Sequence, residues 1–212
     1  MPVKRRINNN QKQIIKSCIN VAIKTAKTGS LFVIDFNIEP NKRYYIAQMP
    51  KILNEDGNPF NILNEMEQQV IKALAEVGGA VIVDNYGYCQ EYGTKLKKEA
   101  SFFEYDKKHA YARGTSKMPN VICILASERD RHVRTFREGV CITDMDSGVN
   151  MPPTVTDKVI ELLDTPLSKI LVGTGIAAAS ILTLNPIPAI ITISGSTVII
   201  SYGFDKLKSL FK

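Results

Sequence analysis

Residues 170–204 contain no charged side chain, although charges are spread along the rest of this 212-residue chain. A bilayer's hydrocarbon core is about 30 Å thick and takes about 20 apolar residues per straight helical crossing, so this apolar run is too long for one span. The sequence Asn-Pro-Ile-Pro at 185–188 interrupts it, because proline lacks an N–H and disfavours helix in the residue before it. The run therefore predicts a helical hairpin, with arms at 170–184 and 189–204, that inserts into a membrane.

The two arms are short, and a soluble alternative stays open for them. Apolar segments of about 10–14 residues are more often buried core helices than full spans, and the second arm is rich in the β-branched residues of a buried strand. Small residues at 173–180 and 194–196 favour the membrane interpretation, because they let helices pack closely in lipid. Lys169 precedes the run and three lysines follow it within 206–212, which keeps both ends in the cytoplasm under the positive-inside rule. We predict a membrane-associated chain whose soluble domain is cytoplasmic.

Composition limits the partners and cofactors of the remaining residues. Their number fits one globular domain, and a hydrophobic content of 44% is typical of one. The net charge of +6 is modest, and basic residues beside an apolar run suit anionic lipid at least as well as nucleic acid. We therefore expect a lipid bilayer and no nucleic acid among the partners. The four cysteines have no CxxC spacing, which predicts reduced, buried thiols and no zinc site.

Apolar periodicity divides the front of the chain into alternating elements. Helices are predicted at 14–26, with Gly29 as the stop, and at 62–74, before Gly78. A third helix is predicted at 103–112, ended by Gly114, and a linker helix at 156–164, after a boundary at Pro152 and Pro153. The predicted strands are 31–36, 80–83, 88–92, 121–126, 132–136 and 140–143.

This order predicts an α/β or α+β fold with a mixed, mostly antiparallel sheet flanked by helices. We expect a nucleotide-binding domain over 1–148 and a linker helix over 149–168. The membrane-inserting hairpin and a basic tail take the remaining residues, 169–212.

Three segments of the front domain, taken in order, resemble the diadenylate cyclase family, which joins two ATP molecules into cyclic di-AMP. Gly-Gly-Ala at 78–80 opens a strand, Lys-His-Ala at 108–110 begins a helix that reaches Gly114, and Ser-Glu-Arg at 127–129 ends a central strand. The family has Asp-Gly-Ala, Arg-His-Arg and Ser-Glu-Glu in these places. The resemblance covers about residues 10–145, and it rests on order and spacing because no single segment is specific.

The departures from the family pattern concern catalysis. The resemblance implies that the first position of Asp-Gly-Ala binds the metal, and that position is Gly78, which has no side-chain oxygen. Lys108 and Ala110 replace the two arginines, and lysine cannot grip phosphate bidentately. Arg129 replaces the last glutamate, and Asp84 matches no catalytic position and is interpreted as a turn residue. We therefore predict no catalytic residue, no metal ligand and no cofactor, with Mn²⁺ or Mg²⁺ required only if the chain is an active cyclase after all.

The residues that remain could still hold a nucleotide. Backbone at Gly78 and Gly79 allows close approach, and a helix N-terminus at Lys107 attracts anions. The ligand-binding residues that the resemblance implies are Gly78, Gly79, Ala80, Leu96, Lys107, Lys108, His109, Arg113, Ser127 and Glu128. The structural alternatives are a solvated face for Lys107 and Lys108 and a helix cap for His109.

The leading hypothesis is a catalytically inactive sensor of a nucleotide or cyclic dinucleotide. The sensor would be coupled to the membrane hairpin, assemble as a homo-oligomer and disrupt or anchor to the bilayer, as sensor–effector proteins of antiphage defence do. One alternative is an active, membrane-anchored cyclase that makes cyclic di-AMP from ATP. The other is a ligand-free scaffold tethered to the membrane.

Overall fold

The computed structural model of the chain describes residues 7–37, 44–99, 107–148, 153–165, 189–193 and 196–200. The helices are α1 (Asn9–Lys24), α2 (Glu67–Glu76), α3 (Lys107–Thr115) and α4 (Pro153–Asp164). The strands are β1 (Ser30–Asp35), β2 (Tyr45–Ile46), β3 (Ala80–Val83), β4 (Cys89–Leu96), β5 (Val121–Ala126), β6 (His132–Arg137), β7 (Val140–Asp146), β8 (Ala189–Ile193) and β9 (Ser196–Ile200).

The strands form one mixed sheet in the order β2-β4-β3-β1-β5-β6-β7, which β9 and β8 extend beyond β7. Strands β1 and β3 run parallel, and each of the other described pairs runs antiparallel. The central position predicted for β5 is confirmed, because it pairs with β1 on one side and β6 on the other. The front of the chain is therefore an α+β fold with a seven-stranded, mostly antiparallel sheet and four helices.

Helices cover both faces of this sheet. Alternate residues of β1 face opposite sides, so that Phe32 belongs to the core that α1, α2 and α4 share, while Val33 belongs to the core of α3 and the two tyrosines at 44 and 45. Strand β5 is buried on both faces, which explains its unbroken apolar sequence. The sheet therefore lies between α3 on one face and α1, α2 and α4 on the other.

Helix α1 forms where the apolar period predicts it, although it begins earlier, at Asn9. Asn8 caps its N-terminus and makes a capping box with Gln11. The chain leaves the helix through Thr25 and turns at Gly29, whose φ of +77° favours glycine. The predicted stop at Gly29 therefore agrees with the backbone geometry.

Two helix boundaries differ from the sequence prediction. Helix α2 begins at Glu67 and not at 62, because the side chains of Asn61 and Asn64 accept hydrogen bonds from backbone N–H groups two residues on and hold turns. Helix α3 passes through Gly114, the predicted stop, to Thr115. A Cβ at Gly114 would lie 2.3 Å from the Lys98 carbonyl oxygen, so this glycine serves close packing of the helix on the backbone of 98–99. The predicted helical residues 103–106 lie outside the described residues.

Helix α4 is part of the folded body of the protein, although the sequence predicts a linker. Its side chains Val155, Val159 and Leu163 are buried in the same core as α1. Asp164 accepts a hydrogen bond from the backbone N–H of Ile7 at 2.9 Å. The division of the chain at 148 and 168 stays a prediction.

The C-terminal arms are described in part. The first arm, 170–184, lies outside the described residues. The sequence predicts a helix over 189–204, whereas β8 and β9 are strands that pair with each other, and β9 pairs with β7. The abundance of β-branched residues in this arm accounts for the difference. None of the described helices has the length and apolar character needed to cross a bilayer.

The prediction of reduced, buried thiols is confirmed. All four cysteines are buried and form no disulfide bond. Burial raises the pKa of the Cys89 thiol to about 12, and it raises the pKa values of Cys18 and Cys123 as well. These thiols therefore pack as small apolar side chains.

Replacing Gly114 with alanine tests the close packing of α3. Gly→Ala within a helix ordinarily stabilises it by about 1 kcal/mol. Here the added Cβ would overlap the Lys98 carbonyl, and we expect Gly114→Ala to lower the free energy of unfolding by about 1–3 kcal/mol. Urea unfolding measures the change. Gly148→Ala is the matched control, because a Cβ there meets only the flexible side chain of Asp146. A Gly114→Ala protein at least as stable as the unmodified chain would contradict the packing.

Candidate functional site

Most of the residues singled out from the sequence lie at one edge of the sheet. Because β1 and β3 are parallel and β5 is antiparallel to β1, the start of β3 and the end of β5 share that edge. Gly78 and Gly79 precede β3, Leu96 ends the neighbouring β4, and Ser127 and Glu128 follow β5. We call the group of Gly29, Gly78, Lys108, Ser127 and Glu128 the Ser127 edge.

The N-terminus of α3 reaches the same edge, next to Gly29. A Cβ built on Gly29 would lie 3.3 Å from the Glu128 Cβ, 3.4 Å from the Glu128 backbone nitrogen and 3.4 Å from the Lys108 Nζ. The Lys108 ammonium and the Glu128 backbone therefore both lie beside Gly29, although they are far apart in sequence. Gly29 is a site residue that the sequence analysis missed, because its role as a helix stop explained it fully.

The first turn of α3 has an unusual charge. It contains Lys107, which is exposed, and Lys108, which is half-buried, and no acidic residue. The N–H groups at a helix N-terminus have partial positive charge, so two lysines there raise the free energy of the protein when no anion is bound. This arrangement favours a negatively charged ligand.

The Ser127 hydroxyl gives a second, independent indication of a ligand. Ser127 is 3% exposed, and its Oγ has no hydrogen-bond partner of normal geometry among the described residues. The hydroxyl lies near the Asp130 carboxylate, and a buried hydroxyl that lacks a well-formed hydrogen bond costs up to about 1–3 kcal/mol. A phosphate oxygen would accept its hydrogen bond and remove that cost.

The two glycines before β3 have different roles. A Cβ at Gly79 would lie 2.5 Å from the Gly93 carbonyl carbon, so Gly79 is needed where two strands approach closely. At Gly78, where φ is +104°, nothing in the described part of the chain lies within 4 Å of such a Cβ. Gly78 therefore borders open space at the Ser127 edge. The side chains of Ala80 and Leu96 belong to the core beneath it.

His109 is buried and joins α3 to β6. It is 2% exposed, and its Nε2 lies 2.8 Å from the Arg134 Nη1. A guanidinium group can only donate, so Nε2 accepts and the ring is neutral, with its proton on Nδ1. The sequence predicts that His109 contacts an anion directly, but this nitrogen is already used by Arg134.

Arg134 is the centre of a buried set of charges that the sequence analysis did not find. Its Nε donates to the Asp144 Oδ2 at 2.8 Å and its Nη2 donates to Asp130. The other Asp144 oxygen lies 2.6 Å from the His132 Nδ1. We call Arg134, Asp130, Asp144, His109 and His132 the Arg134 network. Its sequence signal is weak: Arg134 and Asp144 are opposite each other in the predicted β6–β7 hairpin.

The network shifts the pKa values of its members. Burial raises the pKa of the Asp130 carboxyl, but hydrogen bonds from Arg134 outweigh it and hold that pKa well below its usual range. The nearby Ser127 hydroxyl lowers the Asp130 pKa further, although it makes no hydrogen bond of normal geometry. The hydrogen bond to Asp144 raises the pKa of His132, against the effect of its own burial.

Two other candidate residues have structural roles away from the Ser127 edge. The Arg113 Nε donates to the Gly139 carbonyl oxygen at 3.1 Å, in the β6–β7 turn at the other end of β6. The structure therefore does not bring Arg113 to the N-terminus of α3. Asp84 is a turn residue, as predicted, because it accepts hydrogen bonds from the backbone N–H groups of Tyr86 and Tyr88.

The residues at this edge do not fit a divalent metal ion. Gly78 has no side-chain oxygen, and Arg129 stands where the resembled family has a glutamate. Within the described ranges, no group of three or more His, Cys, Asp or Glu residues is arranged to hold a metal.

Comparisons with known proteins give structural likenesses only. No protein-family model matches the chain, and no curated protein matches it. A hypothetical membrane spanning protein from Bacillus cereus is 20% identical, with a TM-score of 0.46, over 58% of this chain and 59% of that one. This chain thus spans less than two thirds of that protein's length. A double mutant of DacA from Staphylococcus aureus is 15% identical, with a TM-score of 0.49, over 72% of this chain and 96% of that one. Neither likeness, at these values, identifies what this chain binds.

Replacing Arg134 with methionine tests whether the network holds the fold together. Arg134→Met would leave Asp144 buried with His132 as its remaining partner, and loss of one partner of a buried ion pair costs about 3–5 kcal/mol. We expect a fall of that size in the free energy of unfolding, measured with urea. The control on the same strand is Arg137→Met, because Arg137 pairs only loosely with Glu138, at 3.5 Å. Equal losses in the two variants would contradict a structural role for the network.

The raised pKa of His132 predicts a stability that depends on pH. Because the pKa is higher in the folded state, this contribution is fully present below the unfolded-state value of about 6.5 and is lost as pH rises through the folded-state value. We expect the free energy of unfolding to fall from about pH 6 to pH 9, and His132→Asn to flatten that fall. Urea unfolding across this range measures it. Parallel curves for the two proteins would contradict the expectation.

Proposed function

We propose that the front of the chain binds a nucleotide or cyclic dinucleotide through a phosphate at the Ser127 edge, and that it does so without catalysis. The observation that supports this most directly is that the Lys108 ammonium and the Glu128 backbone nitrogen both lie beside Gly29. A cation, a helix N-terminus and a buried hydroxyl that makes no hydrogen bond of normal geometry are complementary to a phosphate group.

The ligand class comes from the resemblance in sequence. The three segments at 78–80, 108–110 and 127–129 have the order and spacing of the diadenylate cyclase family, whose substrate and product are adenine nucleotides. The folded chain has all three segments beside the Ser127 edge. A single lysine at 108 in place of two arginines suits recognition of a phosphate better than its precise orientation for reaction.

Gly78 supports the absence of catalysis. Its φ of +104° lies in a region that residues with a side chain rarely adopt, so an aspartate could not replace it without a change in the backbone. The open space above Gly78 can admit a ligand, but Gly78 itself has no carboxylate to hold a metal ion against it. Phosphoryl transfer depends on such a metal to position and neutralise the reacting groups.

The apolar run at 170–204 would convert binding into an effect on a membrane. Ligand-dependent exposure or assembly of this segment in a homo-oligomer would breach or anchor to a bilayer, which suits a role in antiphage defence. Such coupling requires a ligand that binds the two states with different affinities.

Reversing the charge of Lys108 tests the binding site. We expect the full chain to bind cyclic di-AMP or ATP, and Lys108→Glu to weaken binding at least about tenfold, because a like charge replaces the phosphate's partner. Isothermal titration calorimetry measures the affinity. Lys158→Glu is the matched control, since Lys158 is exposed on α4.

Three results would contradict the proposal. Equal nucleotide affinity of Lys108→Glu and the unmodified chain would show that the nucleotide does not bind at Lys108. Formation of cyclic di-AMP from ATP in the presence of Mn²⁺ would identify an active cyclase. In that case Glu128 would be the carboxylate at the Ser127 edge that takes part in the reaction. No binding of either nucleotide would favour the ligand-free scaffold.

Leakage of liposomes with and without the bound nucleotide tests the effect on the membrane. Leakage that does not change when the nucleotide is added would contradict the sensor proposal.

A further inference from the structure

The Arg134 network contacts the Ser127 edge on two sides, at α3 and at the turn that follows β5. On one side, Arg134 hydrogen-bonds His109, the residue that follows Lys108 in α3. On the other, it donates to Asp130, in the same turn as Ser127 and Glu128. That turn is closed by the backbone hydrogen bond from Arg131 N to the Ser127 carbonyl. Arg134 therefore sets the position of the lysine relative to the hydroxyl, and it is a positioning residue for the edge.

The charge of this network changes with one group. Arg134 contributes one positive charge, while Asp130 and Asp144 contribute one negative charge each. His132 hydrogen-bonds Asp144 through Nδ1 and is partly exposed, so it can exchange a proton with solvent. The network is thus net negative when His132 is neutral and uncharged when His132 is protonated. His109 cannot change its charge without losing the hydrogen bond from Arg134.

We infer that phosphate binding at the Ser127 edge is linked to proton uptake by His132, transmitted through Asp144 and Arg134. The inference rests on the proposed function and adds its regulation. An anion beside a net negative network is repelled, and protonation of His132 removes that repulsion. By reciprocity, a ligand that binds better to the protonated protein also holds the proton on His132 more tightly.

The groups that face His132 act on its protonation in two opposite senses. Asp144 and its strand neighbour Asp146, opposite His132 in the register, lie on β7. Asp130 lies in the preceding turn, and Arg134 is on β6 itself. His109 and Lys108 are presented from α3. The acidic groups favour the protonated ring, Arg134 opposes it, and a phosphate at the edge adds to the acidic side.

Nuclear magnetic resonance of the histidine rings tests the linkage directly. The chain has two histidines, so their ring signals can be assigned by a single variant. The probe is cyclic di-AMP, whose phosphodiesters do not titrate near neutral pH. We expect saturation with cyclic di-AMP to move the titration midpoint of His132 upward. The His109 signals should remain those of the Nδ1–H neutral ring with and without ligand.

Affinity measured against pH gives the reciprocal result. We expect the Kd for cyclic di-AMP to rise about threefold to tenfold from about pH 6 to pH 8.5. A change of this size corresponds to the loss of one unit positive charge from the network beside the ligand. His132→Asn keeps a neutral hydrogen-bond donor to Asp144 and should make the Kd independent of pH in this range. Asp157→Asn is the control, because Asp157 is an exposed charge on α4 that pairs with Lys16.

The outcomes separate this inference from the function on which it rests. Failure of the unmodified chain to bind cyclic di-AMP or ATP at any pH overturns the proposed function. Binding with a His132 midpoint that does not move, or with a pH profile that His132→Asn leaves unchanged, overturns the linkage alone. Should His132→Asn fail to fold, calorimetry of the unmodified chain in two buffers of different ionisation enthalpy decides, since the linkage predicts net proton uptake on binding and no uptake contradicts it.

Discussion

The ion pairs of Arg134 are the interaction on which the arrangement of the candidate site depends. This side chain is 3% exposed, yet it satisfies two carboxylates and one imidazole from three different segments of the chain. A guanidinium has five N–H donors in a fixed plane, and that geometry lets one residue bind three partners at defined angles. Because burial without partners would be prohibitive for such a charge, the positions of α3, the 127–131 turn and β7 are set together.

The sheet topology explains why an anion would be recognised at this edge. Parallel β1 and β3 begin there, antiparallel β5 ends there, and α3 points its N-terminus at the same place. Gly29 leaves the room in which Lys108 and the Glu128 backbone meet. The fold thus gathers the Lys108 ammonium, the N-terminus of α3 and a buried hydroxyl beside Glu128, while Gly78 contributes open space and no carboxylate. The proposal of recognition without reaction rests on this set of groups.

Local patterns predicted the elements, and they failed where side-chain turns or longer-range contacts decide. The apolar patterns of α1 and β5 were sufficient to predict these two elements. Helix α1 is buried on one face, and β5 is buried along its whole length. The start of α2 was missed because asparagine side chains hold turns against an apolar helical pattern. Gly114 was interpreted as a stop, since a contact with the Lys98 backbone is invisible in sequence. For the same reason the hydrogen bond between His109 and Arg134, 25 residues apart, was not predicted. The order of the three resembling segments assigned Lys108, Ser127 and Glu128 to one binding site, and their role there stays a prediction.

A crystal structure of the chain grown with saturating cyclic di-AMP tests the central claim most directly. The account predicts a phosphate within hydrogen-bond distance of both the Lys108 Nζ and the Ser127 Oγ, next to an undisturbed Arg134 network. A dinucleotide bound elsewhere on the chain, or a Ser127 edge left empty at saturation, would contradict it.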